Sequence, residues 1–206
     1  MTSFAVINYG IGNLRSLQRS LDRVGVDAQM VTDPSGIEAA ERLLLPGVGH
    51  FRACMSAFNA SGMRGALEKA VKDGKPLLGI CVGMQMLFDG SEEGDFTDGL
   101  GFIKGRVSRF SSEFEGAPLR VPHVGFAEIE TRDSVLFEGM EPNPRFYFTH
   151  SFRAADADPK AIIGVGNYGG SFAAAVQKKR VYGTQFHPEK SHRNGLALLK
   201  NYATKG

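Results

Sequence analysis

The chain has 206 residues, of which 42% are hydrophobic and 22% are charged, and its formal net charge at pH 7 is +2. A length of this order suits one ordinary domain with a substantial core, so residues 1–206 are predicted to form a single domain. The small net charge does not indicate a nucleic-acid partner, and no apolar run approaches the ~20 residues that cross a bilayer, so neither nucleic-acid binding nor a membrane segment is expected.

Strand and helix patterns alternate through the first half of the chain. Residues 3–10 form a β-rich run, and residues 13–25 carry leucines at the three-four spacing of an amphipathic helix. Strands are then predicted at 27–32 and 41–49, followed by a helix over Met63 to Asp73 and a strand at 76–80. This order predicts an α/β fold with an open, mostly parallel sheet covered by helices on both faces.

The second half of the chain has a different residue pattern, in which β-like runs are broken by glycine, proline and aspartate. These runs predict a mixed and antiparallel β extension, and they lie at 101–110, 126–131, 145–152, 171–177 and 181–186. Ser91 to Gly99 is predicted to be an exposed loop. The last helix is expected from about His192 to Tyr202.

Cys81 lies where a buried strand turns directly into helix-forming sequence. Gly79 and Gly83 stand two positions to either side and remove Cβ atoms that would collide in so tight a turn. GxCxG is the cysteine form of the nucleophile elbow, which presents the sulfur at the N-terminal end of a helix, where the thiolate is favoured. A free cysteine is also a common small core residue. The glycines favour a nucleophile, whereas Cys54, in a helical-looking segment, is interpreted as a packing residue.

His187 is the predicted general base. It follows an apolar strand, and Pro188 favours an extended conformation at the residue before it. Residues two apart in an extended chain point to the same side, so Glu189 is expected beside His187, where its carboxylate can accept the Nδ1 proton and orient the ring. The remaining histidines are interpreted as capping or packing residues: His50, His123, His150 and His192.

The segment HPEKSH also contains ligand types of a metal site, in His187, Glu189 and His192. Zinc-binding helices space their histidines as HExxH, and Pro188 prevents that helical register, so the catalytic pair is favoured and no metal or cofactor is predicted. The chain has two cysteines and no signal-peptide pattern, which indicates a reduced, cytoplasmic protein.

A second glycine-rich turn, PGVG, follows a buried strand and offers donors for an oxyanion. Hydrolases with a nucleophile elbow take one N–H from the residue after the nucleophile, here Val82, and another from a neighbouring strand-end loop. Gly47 and Gly49 would let the peptide at Val48 approach the reacting carbonyl or rotate away from it. Val48 and Gly49 are therefore predicted to complete the oxyanion site, and an ordinary strand-ending turn is the alternative.

With GICVGMQ, PGVG and QFHPEKS present together, the chain resembles the class I, or triad, glutamine amidotransferase family over nearly its whole length. The resemblance implies a flavodoxin-like α/β core and hydrolysis of L-glutamine to glutamate and ammonia. Matched by motif, Cys81 is implied to be the nucleophile, His187 the base and acid, and Glu189 the residue that orients the imidazole.

The same resemblance implies a set of substrate-binding residues. Gln85, one helical turn beyond Cys81, matches the glutamine-binding glutamine of the family, and positions i and i+4 share a helix face. A solvated helix residue is the structural alternative for Gln85. The resemblance also implies that backbone groups hold the substrate at three further positions, which are Gly49, Ser151 and Phe152.

Within the family, NYGIGN, VPHVGF, FTHSF and the lysine and serine of HPEKS resemble the glutaminase subunits of imidazole glycerol phosphate synthases. That branch implies a heterodimer with a (β/α)₈ cyclase subunit, which receives the ammonia and makes imidazole glycerol phosphate and AICAR ribonucleotide in histidine biosynthesis. It also implies a low glutaminase activity until the cyclase site is occupied, with the PGVG peptide as the switch.

The implied interface residues are Tyr9, Asn13, Arg15 and Phe126. The usual PHMGWN of that branch is PHVGFA here, so Phe126 replaces a tryptophan near the subunit contact and Ala127 replaces an asparagine. Three alternatives stay open: a glutaminase that serves another synthase, a free-standing cysteine hydrolase, and a binding module without activity. Related free-standing hydrolases place a histidine next to the elbow cysteine, and this chain has Val82 there.

Overall fold

Five parallel strands form the centre of the structure, a computed structural model that describes residues 3–206. The first half of the chain contains β1 (Phe4–Ile7), α1 (Leu14–Arg23), β2 (Ala28–Val31), α2 (Pro34–Ala39), β3 (Arg42–Gly47), α3 (Phe51–Ala60), α4 (Arg64–Lys72), β4 (Leu77–Cys81), α5 (Val82–Met86), β5 (Gly90–Ser91) and β6 (Thr97–Asp98). Strands and helices therefore alternate here as the sequence predicts.

The second half of the chain is mainly β-structure and ends in a helix. It contains β7 (Arg106–Arg109), β8 (Glu113–Phe114), β9 (Ala117–Pro118), β10 (His123–Thr131), β11 (Arg145–His150), β12 (Phe152–Ala154), β13 (Ile162–Asn167), β14 (Ser171–Lys178), β15 (Val181–Thr184) and α6 (His192–Lys205). Short 3₁₀ turns lie at Val135–Phe137 and Pro188–Lys190. Within residues 3–206, no helix is both long and apolar enough to cross a membrane.

The main sheet has nine strands in the order β11-β10-β13-β14-β15-β4-β3-β1-β2. Neighbours from β15 to β2 pair in parallel, and neighbours from β15 to β11 pair antiparallel. A smaller sheet has the order β12-β7-β5-β6, and β8 pairs with β9. The predicted α/β class, with a parallel core and a mixed extension in the second half, is confirmed.

The central strands are continuous apolar runs, as expected for parallel strands that are covered on both faces. Every residue of β4 is buried, and so are all residues of β3 after Arg42. The strands β3, β4 and β15 are neighbours, so their carboxyl ends meet at one edge of the sheet, where ligands bind in open α/β sheets. Gly47 lies directly opposite Cys81 in the register at that edge.

The structure differs from the prediction at one segment and adds a helix at another. The loop predicted from Ser91 to Gly99 contains β5 and β6, which pair as Gly90–Asp98 and Ser91–Thr97, and Ser91 is buried. The helix α2 was not predicted, although Asp33 and Pro34 carry its signal: the Asp33 side chain accepts from the Gly36 N–H, and proline is favoured at the first helical position.

Candidate active site

Cys81 occupies a strained turn between β4 and α5. Its backbone has φ 56° and ψ −113°, in a region that non-glycine residues rarely adopt. A Cβ atom on Gly83 would overlap the carbonyl oxygen of Leu45, and one on Gly79 would lie 2.6 Å from the Gly83 carbonyl oxygen. Both glycines are thus required by close backbone packing. The predicted strand-to-helix elbow is confirmed.

The helix that follows the cysteine is short. It comprises Val82 to Met86, all buried. Val82 is its first residue, and the first N–H groups of a helix have no intrahelical acceptor. Val82 lines the same cavity as Cys81, so this end of the helix borders the space beside the sulfur.

His187 and Glu189 form a buried pair. Nδ1 of His187 lies 2.8 Å from Oε1 of Glu189, and the side chains are 3% and 4% exposed. His187 has the predicted extended backbone, with φ −96° and ψ 99°. The predicted route to the pair was wrong, however, because Pro188 begins a 3₁₀ turn, and this turn rather than strand alternation brings Glu189 back to the imidazole.

The imidazole of His187 is electrostatically coupled to the sulfur of Cys81. Burial by itself lowers the pKa of His187, but the proximity of Cys81 and the hydrogen bond to the Glu189 carboxylate outweigh burial and raise it to about 10. Among residues 3–206 no hydrogen bond of standard geometry joins the two groups, and the sulfur has one long contact, 3.9 Å, from Nε2 of Gln185. The hydrogen bond between a nucleophile and its general base is often long before substrate binds.

A cavity of about 430 Å³ brings the predicted residues together. It is lined by Val48, Gly49, Cys81, Val82, Gln85, Ser151, Phe152 and His187 among the residues singled out from the sequence. Glu189 lies behind His187 and does not line the cavity. The lining residues without a predicted site role are Glu93, Pro122, Thr149, His150 and Lys190.

Gln85 is held by two hydrogen bonds and is not a solvated helix residue. It is 3% exposed, and its Nε2 donates to the carbonyl oxygen of Phe152 (3.1 Å) and to Oε1 of Gln185 (3.0 Å). Both amide hydrogens are thereby used. Its Oε1 accepts no hydrogen bond from the part of the chain between residues 3 and 206, so it is available to a donor in the cavity.

Glu93 adds a carboxylate to the cavity that sequence reasoning missed. Its Oε2 accepts from the Phe51 N–H (2.7 Å) at the start of α3, and its side chain is 15% exposed. The residue lies in the segment that was predicted to be an exposed loop, where an acidic side chain gives no signal. Packing of that segment against α3 directs the carboxylate inward.

The glycines of the PGVG turn serve different purposes. A Cβ atom on Gly47 would lie 2.6 Å from the Gly83 amide nitrogen, so close packing requires a glycine there. Gly49 has φ +85°, and no heavy atom lies within 4 Å of an added Cβ, so its backbone conformation rather than packing favours glycine. Close packing thus accounts for Gly47 without mobility, and the mobility of Gly49 stays a prediction. The carbonyl oxygen of Val48 accepts from the thiol of Cys54 (3.4 Å), which is fully buried.

The implied interface residues divide into buried and exposed positions. Tyr9 is 6% exposed and its hydroxyl donates to the Pro46 carbonyl (2.7 Å), so its assignment to an interface was wrong: the side chain packs beneath the PGVG turn. Asn13 and Arg15 are exposed. Phe126 is 40% exposed.

The histidines of the alternative metal site have separate partners. The ring of His192 stacks on Phe126 at 5.3 Å between centroids, whereas His187 is paired with Glu189 inside the protein. Across the described residues 3–206, no group of three or more histidine, cysteine, aspartate or glutamate side chains is arranged to hold a metal ion.

Comparison with known proteins gives matches along the whole chain. The sequence model of the family described as glutamine amidotransferase class-I matches residues 5–205. The imidazole glycerol phosphate synthase subunit HisH of Leptospira borgpetersenii is 41% identical over 201 residues, which are 97% of this chain and 98% of that protein. The protein of the same name from Neisseria gonorrhoeae is 44% identical over 208 residues, with 96% and 97% covered.

Solved structures share the fold at low sequence identity. A crystal structure described as a glutamine amidotransferase has a TM-score of 0.76 at 19% identity and covers 99% of this chain and 100% of its own. A structure of PurLQS from Thermotoga maritima has a TM-score of 0.75 at 20% identity, with 98% and 97% covered. This chain therefore shares its overall fold with these structures.

Proposed function

This chain belongs to the class-I glutamine amidotransferase family, and we propose that it is the glutaminase subunit of an imidazole glycerol phosphate synthase. It forms one domain over residues 1–206 and hydrolyses L-glutamine to glutamate and ammonia for histidine biosynthesis. The proposal is supported by relatives named as HisH subunits, which are 41% to 44% identical along nearly their whole length.

Catalysis proceeds through a thioester. The thiolate of Cys81 attacks the side-chain amide carbon of glutamine, and His187 gives its proton to the departing ammonia. His187 then takes a proton from water, which cleaves the γ-glutamyl thioester and releases glutamate. Glu189 keeps the imidazole ring in place and stabilises its charged form. The 2.8 Å contact between His187 and Glu189, and the high pKa of His187, support these roles.

The oxyanion of the tetrahedral intermediate is stabilised by backbone N–H groups at Val82, Val48 and Gly49. Val82 begins α5 next to the nucleophile, and the register that places Gly47 opposite Cys81 brings the PGVG turn to the other side of the sulfur. Each such donor is worth roughly a hundredfold to a thousandfold in rate. Gly49, with its open surroundings, supplies the freedom for this turn to reorient when the partner subunit binds its ligand.

Recognition of the amino-acid part of glutamine uses both charge and hydrogen-bond polarity. The α-ammonium group is a donor, and it meets the carboxylate of Glu93 and the free Oε1 of Gln85. Backbone groups at Ser151 and Phe152, at the start of β12, hold the α-carboxylate. The cavity volume of about 430 Å³ leaves room for one amino acid and water.

The ammonia is passed to a (β/α)₈ cyclase subunit in a heterodimer, which makes imidazole glycerol phosphate and AICAR ribonucleotide. The exposed residues Asn13, Arg15 and Phe126 belong to the contact surface in this proposal. The enzyme works in the cytoplasm, because its two cysteines are free and its relatives are named as subunits of a biosynthetic synthase.

The observation that carries the proposal is the buried His187–Glu189 pair beside a cysteine in a strained elbow, all at one sheet edge. The test is an assay of glutamate release from L-glutamine with and without the cyclase subunit and its nucleotide ligand. We expect low glutaminase activity for this chain alone and a large increase when the cyclase subunit and its ligand are both present. Mass spectrometry of the partner that co-purifies from native cells separates this role from service to another synthase.

A further inference from the structure

Two buried histidines, His123 and His150, lie on the neighbouring strands β10 and β11 at the cavity. They are directly opposite each other in the β10–β11 register, and Nδ1 of His123 is 3.1 Å from Nε2 of His150. They are 4% and 6% exposed. His150 lines the cavity, whereas His123 does not.

The carbonyl oxygen of Phe152 determines which ring nitrogens of the two histidines donate and which accept. Nδ1 of His150 lies 2.8 Å from the carbonyl oxygen of Phe152, and because a carbonyl only accepts, this nitrogen carries a proton and donates. In a neutral ring, Nε2 of His150 is then an acceptor. Nδ1 of His123 must therefore donate to it, so both rings hold their proton on Nδ1.

The surroundings keep both rings neutral and immobile. His123 is stacked between Phe148 and Tyr168, with ring centroids 4.8 Å and 4.1 Å away. His150 packs against Phe110 and Phe172 at 5.1 Å and 5.3 Å. Burial lowers the pKa of His123 to about 4 and is the main cause that lowers the pKa of His150 to about 3.

The Phe152 carbonyl is also the acceptor for Gln85. It receives a hydrogen bond from His150 on one side and from Nε2 of Gln85 on the other. This arrangement directs the amide nitrogen of Gln85 away from the cavity and leaves its Oε1 as the group that a substrate meets. Two buried imidazoles are costly unless their hydrogen bonds are made, so packing alone does not explain the choice of histidine at both positions.

We propose that His123 and His150 are positioning residues for substrate recognition: they hold the Phe152 carbonyl, which fixes the amide of Gln85 with Oε1 toward the α-ammonium group of glutamine. This inference rests on the proposed glutaminase function. It makes His123, which does not reach the cavity, a determinant of glutamine affinity.

The direct test compares His123→Phe with His123→Asn. Phenylalanine keeps the stacking but cannot donate, whereas the asparagine side-chain amide replaces the Nδ1 donor. We expect His123→Phe to raise the KM for L-glutamine roughly tenfold, with kcat changed less than threefold, and His123→Asn to keep a KM close to that of the parent. An unchanged KM in folded His123→Phe, or the same KM in both variants, would overturn the proposal.

A second comparison does not depend on the folding of His123→Phe. His150→Asn keeps a donor at the Nδ1 position toward Phe152, and His150→Gln places its amide at the Nε2 position instead. We expect the KM for L-glutamine to be lower in His150→Asn than in His150→Gln. A lower KM in His150→Gln would contradict the proposal.

The tautomers give a readout that is independent of activity. ¹⁵N NMR of the imidazoles at neutral pH should show His123 and His150 as neutral rings protonated at Nδ1, and an Nε2-protonated tautomer in either ring would refute the arrangement. If the parent enzyme does not release glutamate in the presence of its cyclase, the proposed glutaminase function fails. The arrangement of the two histidines is tested separately, because the NMR measurement does not require activity.

Discussion

Nδ1 of His187 lies 2.8 Å from Oε1 of Glu189, and both side chains are almost completely buried. Glu189→Gln removes the negative charge at nearly constant volume, so the imidazolium loses its counter-charge and the ring can adopt the wrong tautomer. We expect kcat for glutamate release to fall by roughly a thousandfold, with a smaller change in KM. The measurement is steady-state kinetics with the cyclase subunit and its ligand present.

Glu68→Gln is the matched control, because it makes the same chemical change in an exposed carboxylate. Glu68 pairs with Arg64 one turn away on α4, with both side chains more than a third exposed. Its removal should leave kcat within about twofold of the parent, as exposed ion pairs contribute little. Equal losses of kcat in Glu189→Gln and Glu68→Gln would show that the buried charge at position 189 has no special role.

The elbow glycine Gly83 should tolerate no side chain. Its added Cβ atom would overlap the Leu45 carbonyl oxygen, so β3 or α5 must shift in Gly83→Ala. We expect the free energy of unfolding to fall by about 2 kcal/mol or more, the range for overpacked core positions. Urea unfolding followed by circular dichroism gives this value.

The same substitution at Gly65 should change the free energy of unfolding in the opposite direction. Gly65 lies in the helix α4, has no neighbour within 4 Å of an added Cβ atom and no positive φ. The alanine should stabilise the protein by about 0.5–1 kcal/mol. A loss of stability in Gly65→Ala comparable to that in Gly83→Ala would contradict the packing argument.

Gly49→Val tests the mobility of the PGVG turn. Gly49 has φ +85°, which a β-branched residue adopts only with strain, so the turn should be restricted. Turnover stimulated by the cyclase ligand should fall far more than the binding of glutamine. Gly62→Val is the control, since Gly62 has φ +72° and open space but lies outside the cavity. Equal losses of binding and stimulated turnover in Gly49→Val would count against the switch.

Acid should destabilise the protein through the His123–His150 pair. The pKa of His123 is lowered by burial to about 4 in the folded state, below the ordinary value of 6.5. The unfolded chain therefore binds protons that the folded chain does not, and the free energy of unfolding decreases as the pH falls from about 6.5 towards 4. Urea titrations across this range should show a flatter pH dependence in His123→Phe, and an unchanged slope would contradict the assignment.

Sequence reasoning reached the central features of the site because they depend on local sterics and strand order. The apolar runs around Leu44 and Leu78 specify buried parallel strands, and the carboxyl ends of neighbouring strands must meet. Gly79 and Gly83 indicate a close backbone approach that only a tight strand-to-helix turn requires. These signals lie within short segments and need no knowledge of distant contacts.

The features that sequence reasoning missed depend on contacts between distant segments. Tyr9 was expected at the subunit interface, but it is buried and its hydroxyl donates to the Pro46 carbonyl. Pro188 permits both an extended preceding residue and the start of a 3₁₀ turn, and the structure has both. Glu93 becomes part of the cavity only because its segment packs on α3. Nothing in the local sequence around these residues reports such contacts.

The central claim is that Cys81 is the nucleophile of a glutaminase. The most direct measurement is glutamate release from L-glutamine by the parent, Cys81→Ala and Cys54→Ser, each with the cyclase subunit and its ligand. Cys54 is a buried cysteine outside the cavity, and serine keeps a donor to the Val48 carbonyl oxygen, so this variant serves as the control. We expect activity in the parent and in Cys54→Ser and none above background in Cys81→Ala. Release of glutamate by Cys81→Ala at the rate of the parent would contradict the account.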